Sequence, residues 1–307
     1  MTYAVLFPGQ GSQSVGMCAD VRAERPDLFA RASEILGWDL EAAIADGPEE
    51  ALTATERAQP ALFVTSYVLW QEFSNSVDGG PAAVAGHSLG EYTALAASGA
   101  LSFDDGVALV AERGLAMAEA AASQSSSMAA LIGADEDTAE AIASGRRDDG
   151  GQLYVANLNA PGQIVVAGGT ADIEWLAENA RDLGVRRAIP LAVAGAFHSP
   201  FMASARARLD AVLEQTNFDE PRIPVISNAT AQVMDDPRVA LSEQLTSPVR
   251  FAASLVFLAE AGCRTFVHVG PGDGTAGLAK RSVEGAEVHV ASDLIGARHV
   301  AEALSLQ

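Results

Sequence analysis

The sequence predicts an α/β protein with a mostly parallel sheet and a smaller inserted subdomain. Three observations carry that prediction. Short apolar runs alternate with helical patterns along most of the 307 residues, which implies strands laid side by side with helical crossovers. One run, Ala82-Ala83-Val84-Ala85, passes through Gly86-His87-Ser88-Leu89-Gly90-Glu91 into an apolar helical stretch, Tyr92 to Ser98. A middle segment breaks the alternation with the order βαββαβ.

The elements follow in order. Tyr3 to Phe7 is a buried strand ending at Pro8-Gly9-Gln10-Gly11-Ser12-Gln13, a loop of turn formers and amides. Helices are expected near Asp27–Leu36 and Asp39–Ala45, and over Thr53–Ser74 with Pro60 in its first turn. The Ser88 turn comes next. A helix from about Asp104 to Ala122 then opens on acids, as the helix dipole prefers. Gln124-Ser125-Ser126-Ser127 reads as a linker. After it come a strand at Met128–Ile132, a helix at Asp135–Ser144, strands at Leu153–Ala156 and Gln163–Ala167, a helix at Thr170–Leu183 and a strand at Arg187–Leu191. That order is a ferredoxin-like unit. It gives a small subdomain over 123–193 set into a larger domain made of 1–122 and 194–307. The larger domain resumes with a helix at Ala203–Gln215, a strand at Pro224–Asn228, a helix opening at Ser247-Pro248-Val249-Arg250-Phe251, a strand at Thr265–Val269, a helix at Thr275–Ser282 and a last strand at Glu287–Ala291.

Composition narrows the function. Apolar content of 49% and charged content of 19% fit a globular protein with an ample core. A net charge of −21 argues against nucleic acid and against an anionic membrane surface, both of which need a basic face. Cys18 and Cys263 match no metal spacing and demand no disulfide. No basic leader and no membrane-length apolar run is visible, so a cytoplasmic protein is expected.

Two side chains suggest nucleophilic chemistry. Gly86-His87-Ser88-Leu89-Gly90 is a Gly-x-Ser-x-Gly pattern between strand and helix, the setting of a nucleophile elbow. The helix N-terminus behind Ser88 favours developing negative charge. A serine hydroxyl needs a base, and His198, in Ala196-Phe197-His198-Ser199 before a helix, has that setting. Arg113 has two readings: an ion pair with Glu112 on a solvated face, or a clamp gripping a substrate carboxylate through parallel hydrogen bonds.

A resemblance follows from motifs taken together. Phe7-Pro8-Gly9-Gln10-Gly11-Ser12-Gln13, Gly86 to Tyr92, Arg113-Gly114, Asn157-Leu158-Asn159-Ala160-Pro161, Ala196-Phe197-His198-Ser199, Pro248-Val249-Arg250 and Val269-Gly270-Pro271-Gly272 occur in this order. In that register the whole chain resembles the malonyl-CoA:acyl carrier protein transacylases of fatty acid and polyketide synthesis. The resemblance implies an α/β-hydrolase-like domain carrying the ferredoxin-like insertion. It implies Ser88 as nucleophile, His198 as base oriented by the main-chain carbonyl of Arg250, and the N–H groups of Gln10 and Leu89 as an oxyanion hole. Arg113 would bind the extender carboxylate, with Met117, Phe197 and Asn159 also at the substrate. Phe197 and Leu89 would point to malonyl, while Gly195, where a larger residue is usual, leaves room for a bulkier extender such as ethylmalonyl. The implied partners are a malonyl-type CoA thioester, as substrate, and an acyl carrier protein. No cofactor or metal is implied, and the chain is expected to be a monomer acting in trans. Arg146-Arg147, Arg181, Arg186, Arg187 and Lys280-Arg281 are candidates for docking an acidic carrier. The alternatives from other classes are a hydrolase that clears acyl groups from carrier proteins and an inactive docking domain.

Overall fold

Residues 2–305 are described by a computed structural model. Met1, Leu306 and Gln307, which the expected larger domain includes, lie outside them. Among the described residues five strands form one parallel sheet: β1 (Tyr3–Phe7), β2 (Ala83–Gly86), β7 (Val225–Ile226), β8 (Thr265–Val269) and β9 (Glu287–Ala291), in the order β7-β2-β1-β8-β9. The central strand β1 shows why its residues are apolar throughout. Tyr3, Val5 and Phe7 join the core under the helices Thr55–Ser76, Phe103–Ser123 and Ala203–Leu213, whereas Ala4 and Leu6 join a second core under Phe251–Glu260 and Gly274–Ser282. A parallel strand covered on both faces reads as a continuous apolar run.

The inserted unit is an antiparallel sheet of β3 (Ser126–Ile132), β4 (Leu153–Ala160), β5 (Gln163–Gly169) and β6 (Arg187–Pro190), in the order β4-β5-β3-β6. Its strands alternate. Ala129, Leu131, Val155 and Val166 pack under the unit's own helices, Glu136–Asp148 and Thr170–Asn179, while Met128, Val165 and Ala167 face the larger domain. The unit thus carries one private core and lends its other face to the cleft beside the parallel sheet.

Several elements differ from expectation. The serine-rich stretch is no linker, because β3 begins at Ser126. Pro60 is the sixth residue of Thr55–Ser76, past the first turn. Helices at Ala19–Glu24, Pro237–Gln244 and Leu294–Ser305 were not expected, and the last of these, not β9, ends the described chain. Among the described residues no helix is long and apolar enough to cross a membrane, and both cysteines are free.

Candidate active site

Loops leaving the carboxyl ends of β1 and β2 meet over the sheet, as they do in other open α/β folds. Two glycines let them meet. A Cβ on Gly86 would lie 1.9 Å from the carbonyl carbon of Gly90, and one on Gly90 would lie 2.4 Å from the Phe7 carbonyl oxygen. Between them Ser88 adopts φ 51°, a left-handed conformation uncommon for a residue with a side chain. The strain is held from two sides. The Ser88 N–H donates to Asn228 Oδ1 at 2.7 Å, and its carbonyl accepts from Gln244 Nε2 at 2.9 Å. Asn228 also donates through Nδ2 to Gly86 O at 2.7 Å, so one amide spans the elbow.

The turn presents Ser88 Oγ to His198 Nε2 at 2.8 Å. His198, itself at φ 56°, lies within hydrogen-bond distance of a main-chain carbonyl through Nδ1. That carbonyl belongs to Gln244, at 2.9 Å, not to Arg250 as expected. The physical reason is the position of each carbonyl on its helix. Gln244 is the last residue of Pro237–Gln244, where carbonyls lack intrahelical partners. Arg250 caps the start of Phe251–Glu260, and its carbonyl is taken by the N–H and hydroxyl of Ser254, at 3.0 and 3.1 Å. The Arg250 side chain pairs instead with Glu136 of the small unit at 2.9 Å.

A carbonyl only accepts, so Nδ1 carries the proton and Nε2 offers its lone pair to the serine. Burial, reinforced by the positive charge of Arg113, pushes the His198 pKa down to about 3, although the Gln244 carbonyl opposes the shift. The imidazole is therefore a neutral base at any ordinary pH. Inactivation of Ser88 by a fluorophosphonate should stay flat from about pH 8 to about pH 5, whereas an unperturbed histidine would give an acid limb near 6.5. The same shift links to folding. The unfolded chain takes up this proton first, so the contribution of His198 to stability falls as pH drops from about 6.5 toward 3.

Arg113 is 1% exposed and does not pair with Glu112, which binds Arg208. Its guanidinium donates to Gln59 Oε1 at 2.7 Å, to Gln244 Oε1 at 2.8 Å and to Ser88 Oγ at 3.1 Å, and lies 5.2 Å from the Tyr92 ring centre. Among the described residues no carboxylate touches it, and its buried Nε has no partner. A buried cation among neutral amides is electrostatically open to an incoming anion.

These groups line one cavity of about 240 Å³. Gln10, Met117, Phe197 and Asn159 line it with Ser88, His198 and Arg113, and the small sheet contributes Met128 and Val165. Asn159 Oδ1 lies 2.7 Å from His87 Nε2, and Gln10 Nε2 donates to Thr55 at 3.3 Å. The Leu89 side chain is buried in the core behind the elbow and is not part of the cavity wall. Gly195 also has no part in the wall. A Cβ there would lie 2.6 Å from Ala121 Cβ, so helix Phe103–Ser123 occupies the space a larger residue would need.

Gln244, Asn228 and Gln59 were missed by sequence reasoning, and Glu91 was quoted within a motif without a role. Asn228 had a readable signal, since it follows β7 as Ser88 follows β2. Gln244 sits on a short polar helix whose one cue is Asp236-Pro237, a capping residue followed by proline at the first position.

Fold and site together define a serine acyltransferase, an enzyme that holds an acyl group as a serine ester. The acyl transferase domain family matches residues 4–296. The malonyl CoA-acyl carrier protein transacylase of Bacillus subtilis is 43% identical over 284 residues, 91% of this chain and 89% of that protein. The solved malonyl CoA-acyl carrier protein transacylase of Coxiella burnetii superposes with a TM-score of 0.95 at 33% identity, covering 99% of this chain and 98% of that one. A malonyl-transacylase solved in complex with a type II polyketide synthase acyl-carrier protein gives 0.94 at 35%, covering 99% and 100%. The chain belongs to the malonyl CoA-acyl carrier protein transacylase family.

Proposed function

We propose that the protein moves a malonyl group from coenzyme A to the phosphopantetheine thiol of an acyl carrier protein through an ester on Ser88. The observation that carries this reading is Arg113: a buried guanidinium 3.1 Å from the nucleophile with no carboxylate against it. Ser88 Oγ attacks the thioester carbonyl while His198 Nε2 takes its proton. The N–H groups of Gln10 and Leu89 are the proposed oxyanion donors. The Ser88 N–H is already committed to Asn228, which leaves it out of that role. Collapse of the tetrahedral adduct releases the CoA thiol, which receives the proton from His198. The carrier thiol then repeats the sequence in reverse. One site serves both thioesters in turn, which is ping-pong kinetics, and no cofactor takes part.

The malonyl carboxylate replaces the Ser88 hydroxyl as the third acceptor on Arg113, and a neutral acetyl group offers no such exchange. Phe197 beside His198 fills the wall of a small cavity, and Gly195 is packed against Ala121 without widening it. Both favour malonyl over a bulkier extender. A second cavity shares Gln10, His87 and Asn159 with the first and reaches Arg281. This is the proposed side of approach for an acidic carrier. Arg146 and Arg147 are less suited, being paired with Asp172 and Glu140. The free cysteines accord with a cytoplasmic site of action, which belongs to the same proposal.

The test is intact-protein mass measurement after mixing the enzyme with malonyl-, ethylmalonyl- and acetyl-CoA, followed by addition of holo-carrier. The expected result is a malonyl adduct on Ser88 that passes to the carrier thiol. An adduct that hydrolyses at the same rate with or without carrier would instead identify a hydrolase.

A further inference from the structure

Glu91 lies in the first turn of helix Gly90–Ser98 with no exposed surface, and none of the transfer steps above uses it. Its carboxylate accepts from the Asn228 main-chain N–H at 2.9 Å and from Gln244 Nε2. The Gln244 amide carries the connection onward. Nε2 also donates to Ser88 O at 2.9 Å, and Oε1 accepts from Arg113 Nη2 at 2.8 Å. An amide has a direction. The carboxylate and the Ser88 carbonyl only accept, and the guanidinium only donates. One orientation of Gln244 satisfies all three, with its NH₂ turned to Glu91 and its oxygen to Arg113.

We infer that Glu91 is a positioning residue for acyl-group selection: acting through the Gln244 amide, it fixes the direction of the Arg113 guanidinium and so sets the preference for carboxylated over plain acyl groups. The inference rests on the malonyl-transfer reading above. Burial lifts the Glu91 carboxyl to about 7, against the pull of its two hydrogen bonds and of Arg113, so its charge is adjustable near neutrality. The ionisable groups around it are few. Arg113 faces it from helix Phe103–Ser123 and Tyr92 follows it on its own helix, while His198 binds the far side of Gln244. His87 precedes the elbow, strands β2 and β7 carry no ionisable side chain, and Tyr3 of β1 sends its hydroxyl to Gly79. Helix Thr55–Ser76 presents neutral Gln59, its Glu56, Arg57, Tyr67 and Glu72 being partly exposed.

Glu91→Gln tests the direction argument. An NH₂ at position 91 must face either the Asn228 N–H or the Gln244 NH₂, and the second clash is relieved only by turning an NH₂ toward Arg113. With equimolar malonyl- and acetyl-CoA, the ratio of malonyl to acetyl ester on Ser88 should fall about tenfold, an amount typical of one misdirected charged hydrogen bond. A merely structural role would lower both esters in parallel, and that result overturns the inference. The wild-type protein gives a second reading that needs no variant. The malonyl carboxylate stays ionised, and His198 serves both acyl groups, so its titration cancels in the ratio. Between about pH 8 and about pH 6 the ratio should fall several-fold as Glu91 takes up its proton. A flat ratio overturns the inference. Wild-type protein that takes no malonyl at any pH would instead refute the transfer reading itself.

Discussion

Arg113→Ala is expected to remove most malonyl loading while leaving a serine that still takes uncharged acyl groups. The malonyl carboxylate would enter a cavity whose wall includes Met117, Phe197 and Val165, with no remaining arginine or lysine against it. Removing one partner of a buried charge pair costs about 3–5 kcal/mol, or ~10²–10⁴ in kcat/KM. Acetyl has no charge to strand, so its loading should change far less. The substitution has structural costs as well. Gln59 Oε1 and Gln244 Oε1 each lose a donor, at about 1–3 kcal/mol for each unsatisfied group. The measurement is therefore the acetyl-to-malonyl ratio from an equimolar mixture, which is blind to the folded fraction. It should rise by at least tenfold. Arg113→Lys should recover only part of the preference, because an ammonium is a point charge and cannot hold Gln59, Gln244 and a carboxylate together in one plane. An unchanged ratio in Arg113→Ala would take the guanidinium out of substrate selection.

Much of the fold was legible because burial writes itself into composition. A strand covered on both faces can be apolar along its whole length, as in β1, and the inserted unit stood apart by the order βαββαβ of its elements. The elbow was legible for a related reason: two glycines are required wherever backbones pass within van der Waals contact, and such positions leave few residue choices. What could not be read was which carbonyl faces His198. Main-chain carbonyls are identical in sequence, and whether one is free depends on where a helix stops. Gln244 ends a helix that patterning did not find, because Pro237–Gln244 is short and polar, while Arg250 was expected from its motif and proved to be spent inside a helix cap. The role of Glu91 was hidden by the same limit. A carboxylate in a first helical turn is ordinary on dipole grounds, and only the tertiary path through Gln244 to Arg113 sets this one apart.

His198→Ala is expected to lower the rate of Ser88 acylation by about 10²–10⁴, the usual range for a positioned base. Without it the Ser88 hydroxyl loses the imidazole nitrogen that lies against it at 2.8 Å. His87 is close in sequence, but its Nε2 is held by Asn159 at 2.7 Å and its ring lies edge-on against Phe251. Burial also keeps the His87 pKa low, so it is a poor substitute base. Malonyl binding should survive, since Arg113 makes no hydrogen bond to His198. The decisive comparison is between single and double variants. Ser88→Ala removes the ester altogether, so adding His198→Ala to it should cost nothing further, the non-additivity expected of groups acting as one unit. Rapid-quench measurement of the acyl-enzyme burst reads the His198→Ala defect directly. A burst of undiminished rate would mean that Ser88 is activated by Arg113 Nη2 and the helix N-terminus alone, with the 2.8 Å contact to His198 serving only to fix the serine rotamer.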